Sequence, residues 1–321
     1  MSTHPECTIP AFRSLAQVPA GFGPTVASIG NFDGVHVGHR EILAAVVAEA
    51  RALEARAVAI TFDPHPDHYL RPGSAPGLLT PINERVRLLA TTGIDAVLVL
   101  PFGAELAQLR AREFVQRVLV DALRVRALHE GGNFRFGTRA EAGVRELVEL
   151  GTESGFVLHV HEAVHVHGLE VSSSAVREAL MAGDMRRARW MLGRPFAVRS
   201  RQARGRGMGT RLLVPTVNLA AYDGLLPAFG VYVTRLSVGG RCFQAVTNVG
   251  NRPTFEGVGF GVETHILNFE PVEMTAETPL ELEFLLRLRS EQAWPSPEAL
   301  KAQILRDVVR AQRYFRLAAR A

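Results

Sequence analysis

The chain has 321 residues, 47% of them hydrophobic and 21% charged, which suits a folded globular protein and makes two domains a better expectation than one. A formal charge of +4 is only mildly basic, and the basic run 199–211 holds no aromatic stacking residue, so no nucleic-acid partner is expected. Cys7 and Cys242 give neither a disulfide framework nor a zinc spacing, as in a reducing cytoplasm. Residues 1–10 lack a secretory pattern, and apolar runs such as 42–48 fall far short of the ~20 residues that span a bilayer, so a soluble chain with no membrane partner is expected.

In chain order, strand-like runs at 25–29, 57–62, 96–100, 124–129 and 156–161 alternate with helical patterns at 39–55, 82–92, 105–122 and 140–150. This alternation predicts an α/β domain, a Rossmann-like parallel sheet covered by helices. Ligands bind such sheets at the C-terminal ends of the strands. The first turn at that edge is Gly30-Asn31-Phe32-Asp33-Gly34-Val35-His36-Val37-Gly38-His39. Gly30 and Gly34 allow a tight turn, and a helix starts near Gly38. His36 and His39, three apart, share a face beside a helix N-terminus, where unpaired N–H groups attract phosphates. The plainer reading, in which one imidazole caps the helix and the other is a loop residue, holds for either histidine alone.

Two later turns lead to the same edge. Phe62-Asp63-Pro64-His65-Pro66 is stiffened by its prolines, which fix the direction of His65. Gly131-Gly132-Asn133-Phe134-Arg135-Phe136-Gly137 carries an amide, a guanidinium and two rings, at least one of them expected in the core. Val171-Ser172-Ser173-Ser174-Ala175-Val176-Arg177 reads as a helix start with more hydroxyls than one cap needs. With Arg177 it predicts a second grip on phosphates opposite His36 and His39. His159, His161, His165 and His167 form two His-x-His pairs, which fit a metal or, more simply, a solvated strand face; the second reading is favoured.

A connecting helix is expected over 183–192, with the domain boundary near Gly193. Beyond it the pattern changes to short alternating strands at 196–201, 231–237, 241–247, 262–267 and 281–288, with a hairpin signal at Gly239-Gly240. These predict a small antiparallel β-barrel. Ser296-Pro297 opens a C-terminal helix to about residue 316, whose apolar positions Leu300, Ile304, Leu305, Val308 and Val309 are expected to pack on the barrel. Within the barrel, the glycine loop Gly205, Gly207, Gly209 suits a phosphate chain, and Thr216 and Asn218 offer hard oxygens for Mg²⁺. Glu263, mid-strand, is either a base that takes a proton from an alcohol attacking a phosphate or a solvent-facing carboxylate.

These motifs, in this order, resemble the bifunctional bacterial riboflavin kinase/FAD synthetase family over nearly the whole chain after about residue 20. Gly30 to His39 looks like its nucleotidyltransferase signature. The segments at 62–66, 132–137 and 171–177 look like its next three motifs. Pro215-Thr216-Val217-Asn218 is similar to its Pro-Thr-Ala-Asn, and Asn248-Val249-Gly250-Asn251-Arg252 and Val262-Glu263-Thr264-His265 to its flavin-loop and catalytic-base segments. The resemblance implies an adenylyltransferase domain over 1–192 and a riboflavin kinase domain over 193–321. It implies ATP with Mg²⁺, riboflavin, FMN, FAD, ADP and pyrophosphate as ligands. His36, His39 and Glu263 would be catalytic. Gly30, Asn31, Phe32, Gly34, Gly38, Ser172, Ser173 and Arg177 would hold ATP, and Asp63, His65, Asn133, Arg135, Asn248 and Arg252 the other substrates. Where the family has glycine and arginine this chain has Leu213 and Thr210. Leu213 favours a second reading, an FMN adenylyltransferase whose barrel is a flavin-binding regulatory module with weak or lost kinase activity.

Overall fold

A computed structural model describes residues 9–203, 216–254, 257–268, 270, 275 and 277–319, with backbone alone for 251–254 and 257–260. The chain divides into two compact units, Met1–Ser173 and Ser174–Ala321.

The first unit contains β1 (Ala11–Phe12), β2 (Thr25–Ile29), α1 (Val37–Ala52), β3 (Arg56–Asp63), α2 (Pro66–Leu70), α3 (Ile82–Ala90), β4 (Ala96–Pro101), α4 (Ala104–Gln108), α5 (Ala111–Phe114), β5 (Val125–Gly131), α6 (Val144–Ser154), β6 (Val157–His161), and a two-strand ribbon of β7 (His165–Val166) and β8 (Leu169–Glu170). Strands β1 to β6 form a wholly parallel sheet in the order β1-β4-β3-β2-β5-β6. Both faces are covered, so its central strands are apolar throughout: Val58 and Ile60 of β3 enter one core, Ala57 and Ala59 the other. The chain reverses its winding direction between β2 and β5. This switch point opens a crevice at the strands' C-terminal ends.

Two expectations are corrected. Residues 105–122 are not one helix. Leu109 and Arg110 are extended, Glu113 and Glu141 accept the N–H groups of Arg110 and Ala111, and the chain resumes as α5 and a wide π-type turn, Val115–Ala122. The helix expected at 140–150 starts later, at Val144, because Phe136 and Ala142 pair as a bridge first.

The second unit holds most of α7 (Ser173–Ala182), then α8 (Met185–Leu192), β9 (Phe196–Arg201), β10 (Thr216–Asn218), β11 (Gly230–Val238), β12 (Arg241–Thr254), β13 (Gly257–Ile266), β14 (Pro279–Ser290) and α9 (Pro297–Ala318). The strands form one antiparallel sheet, β10-β13-β12-β11-β14-β9. Register shifts in the β11–β14 pair curl it. The outer strands meet where Ala220 N–H donates to Arg201 O and Ala203 N–H to Asn218 O. Inside, the hydroxyls of Thr234, Thr247 and Thr264 bond in series at 2.7 and 3.0 Å, so a buried polar row stays satisfied.

Helix α9 is capped by Ser296, whose Oγ accepts the Ala299 N–H. Of the positions expected to pack, Val308 does so and the other four do not. Leu300, Ile304, Leu305 and Val309 are exposed, and Val308, Ala311, Tyr314 and Phe315 meet Val231, Val233 and Leu288. The buried face includes Asp307, which pairs with Arg289 Nε at 2.9 Å and also accepts from Gln303. A hydropathy pattern assigns Asp307 to the water side; its partner on β14 brings it inside. Asp307→Ala should destabilise the second unit by about 2–3 kcal/mol by leaving a half-buried guanidinium unpaired. Both tryptophans, Trp190 and Trp294, lie in this unit, so urea unfolding followed by tryptophan fluorescence measures the loss.

Candidate active site

The first unit contains a cleft of ≈1280 Å³ at the switch point, lined by residues of the β2–α1 turn, the 131–137 loop and the 170–173 segment. Its floor is the turn after β2. Phe32 and Val35 adopt left-handed φ values of 46° and 40°, and Gly34 has 83°. Such values are uncommon for a phenylalanine and rarer still for a β-branched valine. The turn is tied down on every side. Buried Asp33 accepts the N–H groups of Leu79 and Thr80 at 3.0 and 2.8 Å and the Thr80 hydroxyl at 3.1 Å. Thr80 Oγ1 in turn accepts the Gly34 N–H. Thr61 donates to Asn31 O, and Ser173 to Asp33 O.

This turn delivers His36 to the N-cap of α1, where its Nδ1 accepts the His39 N–H at 3.2 Å. In this capping bond Nδ1 is the acceptor. The helix N-terminus still presents the N–H groups of Val37 and Gly38. The rings of His36 and His39 stack at 3.5 Å. A Cβ at Gly38 would lie 3.3 Å from His36 Nδ1, so glycine there leaves room for the ring. Burial, then the neighbouring His36 and Arg85, hold His39 well below the usual imidazole range. Its buried Nδ1 has no hydrogen-bond partner. His39 therefore favours its neutral form.

Positive charge lines the cleft at Arg71, Arg135 and Arg139, and Arg85, fully buried on α3, adds more from within while donating to Thr61 Oγ1, Phe62 O and Thr80 O. Negative charge is suppressed at Glu130. It lines the cleft, is 2% exposed, and accepts the Ile29 N–H at 2.6 Å. Burial pushes its carboxyl well above the usual range, against the pull of that N–H.

Gly30, Asn31, Phe32, Gly38, His36, His39, Asn133, Arg135, Ser172 and Ser173 all line the cleft. Gly34 lies in the turn beneath it. Phe32 contributes backbone and a buried ring set edge-on to His39. Arg135 donates to Ala140 O, and Phe134 stacks on Phe136, which enters the core as expected of one of the two. Asp63 and His65 are not among the lining residues, although Phe62 and Pro66 are. His65 is buried and caps α2 by accepting the Asp67 N–H. Arg177 stands in α7, within the second unit.

Arg85 and Glu130 were absent from the expected set. Arg85 interrupts the buried stripe of α3 that includes Leu88 and Leu89, and Glu130 ends an apolar strand run; each is a charge where the pattern asks for none.

The second unit has its own polar face. Asn218 of β10, Glu263 of β13 and Asn248 of β12 are directly opposite one another across three strands. Thr216 stands two residues from Asn218, on the same side of β10. Glu263 is exposed. Asn218 Oδ1 is buried without a hydrogen-bond partner. Gly205, Gly207, Gly209, Thr210 and Leu213 lie outside the described residues, and the side chain of Arg252 likewise.

Comparison with known proteins gives the same division. The FAD synthetase family model matches residues 20–175 and the riboflavin kinase family model residues 192–315. A bifunctional riboflavin kinase/FMN adenylyltransferase from Pseudomonas fluorescens is 37% identical over 288 residues, 89% of this chain and 92% of that one. The protein of that name from Escherichia coli K12 is 34% identical over 310 residues, 96% and 98% of the two chains. A crystal structure described as a macrolide-efflux protein from Streptococcus pneumoniae is similar in fold, with a TM-score of 0.82 at 24% identity over 92% of this chain and 96% of that one. With two family models side by side and relatives matched almost end to end, the chain belongs to the bifunctional riboflavin kinase/FMN adenylyltransferase family.

Proposed function

We propose that the barrel face phosphorylates riboflavin to FMN, with ATP as donor, and that the first-unit cleft transfers AMP from a second ATP to FMN, giving FAD and pyrophosphate. The observation that carries this reading is a separate polar site in each unit, one built for phosphate chains and one with a lone carboxylate between two amides. Support for an active kinase half, as against a purely regulatory barrel, comes from the riboflavin kinase family match over that unit.

In the cleft, the FMN phosphate attacks the α-phosphorus of ATP and pyrophosphate leaves. A phosphate dianion needs no base, so the residues align and stabilise charge. His36 donates from Nε2, the α1 N-terminus and buried Arg85 favour the polyphosphate, and Asn133 positions a substrate phosphate. We assign Ser172, Ser173 and Arg177 to the ATP, and Asp63, His65 and Arg135 to substrate positioning. The functional halves are taken as 1–192 and 193–321, in the cytoplasm.

On the barrel, Glu263 takes the proton of the riboflavin 5′-hydroxyl as its oxygen attacks the γ-phosphorus. Thr216 and Asn218 fit Mg²⁺: a hydroxyl and an unpartnered amide oxygen on one side of a strand are the hard donors that ion takes. When bound, Mg²⁺ neutralises charge on the ATP phosphates. Asn248 and Arg252 would face the flavin.

Each half can be silenced alone. His36→Ala or His39→Ala should lower FAD formation by about two orders of magnitude and spare FMN formation. Glu263→Ala should lower FMN formation from riboflavin about 10²–10⁴-fold while FAD still forms from supplied FMN. Chromatographic separation of the flavins reads both; loss of both activities in either variant contradicts the separation. Glu130 adds a pH test. Its folded-state pKa lies above the unfolded value, so its stabilising effect is complete at acidic pH and lost as pH rises through the folded pKa. The thermal midpoint of the wild type should therefore fall more steeply with rising pH than that of Glu130→Gln.

A further inference from the structure

On the α1 side of the sheet, four side chains converge to which neither reaction assigns a role; one of them, His161, also lines the cleft. His129 of β5 and His159 of β6 are register partners on neighbouring parallel strands, so their rings stack at 4.8 Å. Glu49, near the end of α1, reaches both. Its Oε2 lies 2.6 Å from His129 Nε2, and its carboxylate 3.2 Å from His159 Nε2. On its other nitrogen, His129 Nδ1 bonds His161 Nε2 at 2.9 Å.

We propose that Glu49, His129 and His159 form a binding site for a divalent transition-metal ion such as Zn²⁺. One potential ligand atom from each lies within 4.8 Å of the other two. Around a tetrahedral zinc with bonds near 2.0–2.1 Å, ligand atoms stand about 3.3–3.4 Å apart. To admit the ion, Glu49 and His129 would separate by less than about 1 Å and the ligand nitrogens of the two histidines, within 4.8 Å, would draw together. Two imidazoles and a carboxylate select zinc, nickel, cobalt or copper over magnesium or calcium. Three protein ligands leave a fourth position for water. The outer shell is in place as well. A histidine ligating through Nε2 holds its Nδ1–H on an acceptor, and His161 Nε2 is that acceptor for His129. His129, 6% exposed, is fixed, while His159, 44% exposed, leaves the ion a route in. Strand β6 is a sheet edge with Val157 and Val160 exposed, so an ion here would staple the edge strand to α1. The inference does not depend on the flavin reading. It differs from the sequence pattern too: the ligands come from two strands and a helix, and His165 and His167 take no part.

The test is titration of the chelator-treated full chain with zinc chloride, followed by calorimetry and metal analysis. One equivalent should bind with a dissociation constant in the micromolar range or tighter and raise the thermal midpoint of the chain. Glu49→Gln and His159→Gln should each weaken binding at least tenfold, and His165→Gln/His167→Gln should leave it unchanged. Exposed His159 tolerates replacement without loss of packing, so its variant reports binding and not folding. Cobalt(II) should show the visible absorption of a four-coordinate nitrogen and oxygen site, lost in His159→Gln. No uptake at a hundredfold excess of zinc, unaltered affinity in both ligand variants, or loss of binding on changing His165 and His167 would overturn the proposal.

Discussion

The carboxylate of Asp33 is the constraint on which the first unit depends. Left-handed backbone at Phe32 and Val35 costs of the order of 1–3 kcal/mol at each residue and persists only where surrounding bonds over-determine it. Asp33 supplies that over-determination. It gathers two backbone N–H groups and a hydroxyl from Leu79 and Thr80, and its own carbonyl receives Ser173. These bonds hold the turn in its left-handed conformation. His36 and His39 stack over Gly38, and the start of α1 faces the cleft at the sheet's switch point. Such preorganisation suits a transfer that needs alignment and charge stabilisation more than proton chemistry.

Electrostatics at this site are set by burial. Two histidines beside a phosphate site suggest two cations, yet burial, then the neighbouring His36 and Arg85, hold His39 toward its neutral form. One positive charge is fully buried on Arg85, where carbonyl and hydroxyl oxygens hold it, and Arg71, Arg135 and Arg139 line the cleft itself. Burial likewise pushes the carboxyl of Glu130, on the cleft lining, well above the usual carboxylate range. A polyphosphate in the cleft would meet His39 in its neutral form and the side chains of Arg71, Arg135 and Arg139, with Glu162 and Glu170 also among the lining residues.

Much of this was legible in the sequence because it rests on local rules. The βα alternation, the glycine turn, the barrel's short strands and the Ser296-Pro297 helix start are all read from period and turn chemistry. So was the placing of Asn133 and the Ser172-Ser173 pair at one edge with His36 and His39. What stayed hidden is non-local pairing. Asp307 reads as solvent-facing until Arg289 of another element meets it. Glu49, His129 and His159 are 80 and 30 residues apart, and only the β5–β6 register with α1 above it brings them together. The break at Leu109–Arg110 likewise depends on Glu141, far along the chain, accepting the Ala111 N–H.

The most direct measurement is the flavin product profile of Asp33→Asn supplied with riboflavin and Mg-ATP, on protein whose far-ultraviolet circular dichroism matches the wild type. The amide keeps the shape of the side chain and turns an N–H donor toward groups that already donate, loosening the turn and nothing on the barrel. FMN should accumulate at the wild-type rate while FAD formation falls by about tenfold or more, as expected when a buried acceptor is replaced by a donor. FAD formed from that FMN at the wild-type rate would contradict the central role given to the clamped turn.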